Sequence, residues 1–361
     1  MINIAKPVLS DDAKSRVQDV LDSGMFADGS EVRKFEDEFA AFCGVSHGVA
    51  TSNGTTALHT AFNALDIGDG DRVLTTPFSF VASANAIKLA GGEPVFADID
   101  PETFNLDLES ARSVAEETDI DAILVVHLYG LPADIEGFRE LADEFEVPLI
   151  EDAAQAHGAK YNGVPVGSYG DAACFSFYPT KNITTGEGGI VLTDRDDVEE
   201  KSRSFINHGR AKSGRRNQQE VGHNFRMTSI AAVIGQEQLG RLPKFNDARR
   251  HNAELLTGGL ADTSVTTPTE PDAARHVYHQ YTVKASNRNE LRDYLESADI
   301  KSGVYYPYCI HQQPAYQQVS HEAPIAEETS REVLSLPVHP ELTEEDIETI
   351  IEEVKTYDNQ F

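Results

Sequence analysis

The sequence predicts a three-layer α/β fold with a smaller α+β unit toward the C-terminal end. Between Gly48 and Asp194 short apolar runs alternate with amphipathic stretches, and strands alternating with helices imply parallel pairing through crossover helices. Several of the runs are apolar without alternation, as required when helices cover both faces of a sheet. The chain of 361 residues exceeds one average domain and can bury a large core, which favours one large and one smaller unit.

In order, the runs at 48–53, 72–76, 94–98, 122–127, 148–151, 172–177 and 189–193 read as strands. The stretches at 55–65, 79–90, 106–116 and 134–145 read as the intervening helices. A long helical pattern follows from Met227 to about Arg250, with Pro243 expected to break or kink it. Beyond Ala253, strand character at 277–283 and helical character at 290–298 and 344–355 alternate at lower density. The expected division is therefore 1–245 for the large unit, N-terminal segment included, and 246–361 for the small one. No internal repeat is visible, and the polar stretch at 209–219, rich in Arg, Gly and Gln, reads as a mobile loop.

Composition narrows the function classes. Hydrophobic content of 40% and charged content of 25% describe a soluble globular chain. Its charge balance is unusual: 60 acidic against 30 basic residues give a formal charge of −30. Such a surface repels nucleic acid and anionic membranes, so neither is expected as a partner. Carboxylates spread along the chain suit a protein solvated at very high salt, where screening removes most self-repulsion, and a salt-loving source is expected. Cys43, Cys174 and Cys309 are scattered and odd in number, which suits a reducing cytoplasm and suggests neither a disulfide frame nor a zinc site. The first residues lack the apolar core of a signal peptide, and no apolar run approaches the length of a membrane span. A cytoplasmic protein is expected.

Three segments carry chemistry. In Phe-Ser-Phe-Tyr-Pro-Thr-Lys-Asn-Ile-Thr-Thr-Gly-Glu-Gly-Gly at 175–189, an apolar strand runs into a polar loop with one lysine, then into glycines and another strand. A lysine beside apolar walls has a lowered pKa, which makes its amine nucleophilic toward an aldehyde; the plainer reading is a solvated lysine on a hairpin. In Val-Pro-Leu-Ile-Glu-Asp-Ala-Ala-Gln-Ala-His at 147–157, a strand ends in Glu151-Asp152 at the carboxyl edge of the sheet, where open α/β sheets bind ligands. A carboxylate there can keep a pyridine nitrogen protonated, or it can simply cap the next turn. In Ala-Thr-Ser-Asn-Gly-Thr-Thr-Ala-Leu at 50–58, a strand, a glycine turn and two hydroxyl residues open a helix. Free amides and the helix dipole converge there on a spot suited to phosphate, though threonine at a helix start more often caps it. Ser176, five residues before Lys181, adds a further hydroxyl. Together the segments supply an amine, an acid and an anion cradle in one sheet.

With these segments in order, the chain resembles the DegT/StrS family of sugar aminotransferases, which have the aspartate-aminotransferase type of fold (pyridoxal-phosphate-dependent transferase fold type I). The resemblance runs over nearly the whole chain. It is carried by Ser-Asn-Gly-Thr-Thr-Ala-Leu at 52–58, Thr-Pro-Phe-Ser-Phe-Val-Ala at 76–82, Val-His-Leu-Tyr-Gly at 126–130, Glu-Asp-Ala-Ala-Gln-Ala-His-Gly at 151–158, Ser-Phe-Tyr-Pro-Thr-Lys-Asn at 176–182, Gly-Glu-Gly-Gly at 186–189 and Gly-His-Asn-Phe-Arg-Met at 222–227. By resemblance, pyridoxal 5'-phosphate forms a Schiff base with Lys181, its ring nitrogen meets Asp152, and Gln155 touches its ring hydroxyl. Thr55, Thr56 and Ser176 fall on phosphate ligands, and Phe80, or its neighbour Phe78, on the aromatic that stacks against the ring. The loop with Gly222, Asn224 and Arg226 crosses a dimer interface in this family, so Asn224 is implied to contact phosphate held by the other subunit of an obligate homodimer.

The implied reaction has two halves: L-glutamate gives its nitrogen to the cofactor, which passes it to a keto group of a nucleotide-linked deoxysugar. Lys181 then serves as both covalent partner and proton shuttle. His311 and Tyr316, in His-Gln-Gln-Pro-Ala-Tyr at 311–316, are candidates to contact sugar or diphosphate, while local hydrogen bonding is the competing account of His311 and His339. His127 and His157 read as packing or supporting residues, and no histidine pair has metal-ligand spacing. Family members that act as dehydratases carry histidine in place of the lysine, so Lys181 favours transamination. Aminocyclitol precursors as substrates and a non-catalytic, cofactor-bound regulator are the other readings. The wording of Asn182 to Gly189 leans toward relatives that aminate carbon four of the sugar, and surface polysaccharide or glycan assembly is the expected setting.

Overall fold

The structure, a computed structural model, describes residues 1–210, 218–319 and 321–359, so the loop expected at 209–219 lies largely outside the described residues. Two helices, α1 (Asp11–Ser23) and α2 (Ser30–Cys43), come first. Then follow β1 (His47–Thr51), α3 (Gly54–Ala64), β2 (Arg72–Thr75), α4 (Ala82–Ala90), β3 (Glu93–Phe96), α5 (Leu108–Glu117), β4 (Ala122–Val126), α6 (Ile135–Glu144) and β5 (Leu149–Asp152). A hairpin of β6 (Lys160–Tyr161) and β7 (Val164–Pro165) leads to β8 (Ala172–Ser176), β9 (Gly189–Thr193) and α7 (Asp196–Phe205).

All seven expected strands join one sheet in the order β1-β9-β8-β5-β4-β2-β3. Strand β9 runs antiparallel to both neighbours, and the other pairs are parallel. The unbroken apolar runs have the expected cause. Along β8, Ala173 and Phe175 enter the core beneath α2, whereas Ala172 and Cys174 enter the core under α3 and α4. Successive side chains point to opposite faces, so both sets must be apolar when both faces are covered. On the α2 side Phe35, Phe39, Phe175 and Phe177 interlock, with ring centroids 5.0–5.8 Å apart.

Helix α8 (Ser229–Leu260) spans 32 residues and runs on through Pro243, where the sequence suggested a break or kink. Proline removes one backbone hydrogen bond, yet Leu242 and Phe245 on either side are buried, so packing holds the helix together. The expected division at 245/246 therefore falls inside this helix. Its second half contributes Ala253, Leu256 and Leu260 to a separate core. That core also holds β11 (Tyr281–Lys284), α9 (Arg288–Ser297), β12 (Val333–Leu336) and α11 (Glu344–Asp358), with β10 (Ala274–Arg275) and α10 (Pro324–Glu332) in the connections. Residue Ile2 packs against this core, its amide donating to the Asp299 carbonyl (2.8 Å) while the Lys301 amide donates to its own (2.8 Å). Ile2 thus pairs with the C-terminal unit, whereas further along the Val8 carbonyl accepts from Gln238 Nε2 in the first half of α8 (3.0 Å). Among the described residues no helix is long and apolar enough to cross a membrane.

Candidate active site

The carboxyl ends of β1, β4, β5 and β8 lie along one edge of the sheet, as parallel pairing and the direction of β9 require. A cavity of about 810 Å³ opens there, bordered by the turn after β1, the start of α4, Asp152 and the loop after β8. This volume lies in the range that takes a cofactor with part of a substrate. Thr55, Thr56, Phe80, Asp152, Gln155, Ser176 and Lys181 all border it.

Strand alternation separates the two carboxylates at the end of β5. Glu151 faces away from the cavity and is satisfied there, accepting from the amides of Gly167 (2.6 Å), Tyr169 (2.8 Å) and Gly170 (2.8 Å). His127 completes its shell: Nδ1 accepts from the Ala133 amide (3.1 Å), so the proton sits on Nε2 and donates to Glu151 Oε2 (3.0 Å). Asp152 faces the cavity, 5% exposed. Its Oδ2 accepts from Ser83 Oγ (2.7 Å), and Oδ1 accepts from the Ala154 amide (3.2 Å). Burial pushes the Asp152 carboxyl above its usual value against the pull of these donors and of Lys181. A cation placed beside it would relieve that penalty.

Lys181 is half-buried on the loop after β8. Its amine borders the cavity, and burial lowers its pKa to about 8 while Asp152 pulls the other way. Desolvation penalises the ammonium more than the neutral amine, which is why the value falls. Gln155 is fixed at both ends: Oε1 accepts from the Tyr129 amide (2.8 Å) and Nε2 donates to Tyr306 Oη (3.2 Å). Of the two aromatic candidates, Phe78 is fully buried in a separate cluster, whereas Phe80 is 55% exposed and borders the cavity.

At the start of α3 the Asn53 side chain accepts from the Thr56 amide (2.9 Å), and Thr56 Oγ1 in turn accepts from the Asn53 amide (3.1 Å). Thr56 therefore spends its hydroxyl on capping, while the amides of Gly54 and Thr55 precede the first intrahelical bond. Gly54 brings this turn against β8: a Cβ on it would lie 2.7 Å from Ser176 Cβ. Gly189 does the same from β9, where a Cβ would lie 2.4 Å from the Asn53 carbonyl oxygen. Helix amides, the Thr55 hydroxyl and the Ser176 hydroxyl form a cradle with the chemistry of an anion site. An amine with a lowered pKa, a buried acid awaiting a cation, an exposed aromatic ring and this cradle fit pyridoxal 5'-phosphate.

Three expected residues lie elsewhere. Asn224 is exposed and outside the cavity of its own chain, bridging to Asn207. His311 is buried, its Nε2 3.1 Å from Glu327 Oε1. Tyr316 is buried beside Phe96 and Ile310 and donates to Asn85 Oδ1 (2.6 Å). Neither borders the cavity described above. Conversely, Ser83, His279, Tyr305 and Tyr306 border the cavity but carry no signal in sequence. His279 is buried with Nδ1 unpartnered among the described residues, and burial holds its pKa well below the usual value, so it is neutral. Among the described residues no group of three or more His, Cys, Asp or Glu is placed to hold a metal ion.

Known proteins resemble the chain in sequence and in fold. The sequence matches the model of the DegT/DnrJ/EryC1/StrS aminotransferase family over residues 7–355. It is 39% identical over 353 residues to the pleiotropic regulatory protein of Geobacillus stearothermophilus, covering 96% of this chain and 94% of that one. To the UDP-N-acetyl-3-dehydro-alpha-D-glucosamine 3-aminotransferase of Acidithiobacillus ferrooxidans it is 38% identical over 344 residues, covering 95% and 92%. The fold matches the crystal structure of S. venezuelae DesV in complex with a ketimine intermediate at a TM-score of 0.93 and 34% identity, covering 97% and 95% of the two chains. The chain belongs to the DegT/DnrJ/EryC1/StrS aminotransferase family, in fold and in sequence alike.

Proposed function

We propose that this enzyme uses pyridoxal 5'-phosphate to move an amino group from L-glutamate to a keto group of a nucleotide-linked deoxysugar. The observation that carries the reading is the meeting of Lys181, Asp152, Gln155 and the anion cradle in one cavity. When bound, the cofactor supplies an electron sink that stabilises negative charge on the carbon losing a proton. Lys181 Nζ holds the cofactor at rest and, once released, takes and returns that proton. Asp152, kept dry at the end of β5, holds the ring nitrogen protonated. Thr55, Ser176 and the first amides of α3 anchor the phosphate, Phe80 flanks the ring, and Asn224 reaches the partner's site in a homodimer.

The wording at Asn182 to Gly189 supports carbon four of the sugar as the position aminated. Carbon three is the second reading, supported by the printed name of the A. ferrooxidans relative. A regulatory role, which the name of the G. stearothermophilus relative suggests, leaves the lowered pKa of Lys181 unused. Cytoplasmic surface-glycan assembly is the proposed setting. For a test, the purified protein is supplied with pyridoxal phosphate and mixed with L-glutamate, then with keto forms of UDP-, GDP- and dTDP-linked deoxysugars. Visible absorbance is expected to fall with glutamate and to return with one of the sugars. An absorbance indifferent to glutamate overturns the proposal.

A further inference from the structure

Gln155 has two nearly isosteric orientations of its side-chain amide, and they differ in chemistry: one presents N–H to the cavity, the other a carbonyl oxygen. One contact of the chain decides between them, and a second holds the result in place. The Tyr129 amide, a donor only, takes Oε1 at 2.8 Å. Tyr306 Oη takes Nε2 at 3.2 Å. Both contacts are remote in sequence, 26 and 151 residues from Gln155. Tyr306 arrives from the C-terminal half of the chain on the segment between α9 and α10, and its neighbour Tyr305 is held by the Tyr129 hydroxyl, which donates to the Tyr305 carbonyl. Tyr129 and the Tyr305–Tyr306 pair thus form one latch around the Gln155 amide.

We propose that Tyr306 is a positioning residue: docked against Gln155, it locks the amide so that the second Nε2 hydrogen points into the cavity as a donor to the ring oxygen of the bound cofactor. The inference rests on the proposed cofactor and adds what holds its donor in place. Donor accounting supports it. An amide nitrogen carries two hydrogens; one goes to Tyr306, which leaves one for the cavity that Gln155 borders. Burial keeps the Tyr306 phenol protonated by pushing its pKa well above the usual range. Its oxygen is therefore a neutral acceptor for Gln155, and its own hydrogen is free to turn toward the cavity.

The test reads the cofactor's spectrum rather than turnover. A donor on the ring oxygen withdraws charge and would lower the proton affinity of Lys181 Nζ once it is bonded to the cofactor. Weakening that donor should raise the pH midpoint of the visible band. In the reconstituted protein, Tyr306→Phe is expected to move the midpoint up by about half a pH unit, the equivalent of one neutral hydrogen bond. Gln155→Ala should move it further in the same direction. The double substitution should match Gln155→Ala alone, because Tyr306 acts through Gln155. Additive shifts, or no shift with Tyr306→Phe, overturn the inference while leaving the aminotransferase reading intact; a wild-type protein with no visible band overturns that reading instead. Should Tyr306→Phe fail to fold, a high-resolution crystal structure of the wild-type holoenzyme decides: Gln155 Oε1 facing the ring oxygen sinks the proposal.

Discussion

Burial holds the pKa of Lys181 at about 8, and this changes how much nucleophile is present at neutral pH. At pH 7 a group of that pKa is about 9% free amine, against about 0.03% for an unperturbed lysine. Uptake of pyridoxal phosphate by the apoprotein should therefore speed up through a midpoint near pH 8, read by stopped-flow absorbance; a midpoint above pH 10 would show that the amine is solvated. The sign for stability follows from linkage. The folded chain releases the Lys181 proton earlier than the unfolded one, so this group lowers apoprotein stability at neutral pH and the loss is recovered between about pH 8 and pH 10.5. Asp152→Asn tests the opposite partner. The amide can still accept from Ser83, so the fold should survive. It cannot anchor a protonated ring nitrogen, so the glutamate half-reaction should slow by roughly 100-fold or more in single-turnover absorbance.

How α3 meets β8 decides whether the anion cradle exists. Gly54→Ala puts a methyl 2.7 Å from Ser176 Cβ, and backbone on both sides must give. Affinity for pyridoxal phosphate, measured by fluorescence titration, should fall about tenfold or more, because the Thr55 amide and the Ser176 hydroxyl move apart. Melting temperature should change little, since the rest of α3 is untouched; a large drop with unaltered affinity would contradict this account. Regular elements of this kind were legible in sequence because a strand covered on both faces has nowhere to put a polar residue, as all five buried positions of β4 show. Their ends were less so: α4 begins at Ala82 rather than at Ser79, whose hydroxyl lies 3.1 Å from that of Ser83. Strand β12 and helix α10 were missed because each run is short and carries a serine, Ser335 in one and Ser330 in the other. Lys181 and Asp152 stood out through their local segments, whereas Ser83 and Tyr306 act on partners 69 and 151 residues away. Contacts of that range leave no spacing to read.

Net charge acts on the entire particle rather than on any one contact. With −30 formal charges, repulsion among carboxylates opposes the compact state at low salt. The same field repels both proposed substrates, glutamate and a nucleotide diphosphate sugar, each of them anionic. The screening length shrinks from about 30 Å at 0.01 M to about 3 Å at 1 M salt, so the two penalties should fade together. Melting temperature should rise with sodium chloride and flatten near 1 M. KM for the nucleotide sugar should fall over the same range while kcat changes less, the reverse of an enzyme that steers its anionic substrate with a basic surface. The local cradle does not alter that sign, since its few donors act at contact distance whereas the surface field acts during approach. Steady-state kinetics at fixed pH across that salt range, repeated with potassium glutamate to separate screening from competition by the donor, checks it. A KM that climbs with ionic strength would mean that the cavity mouth, rather than the surface as a whole, governs the field its substrates meet.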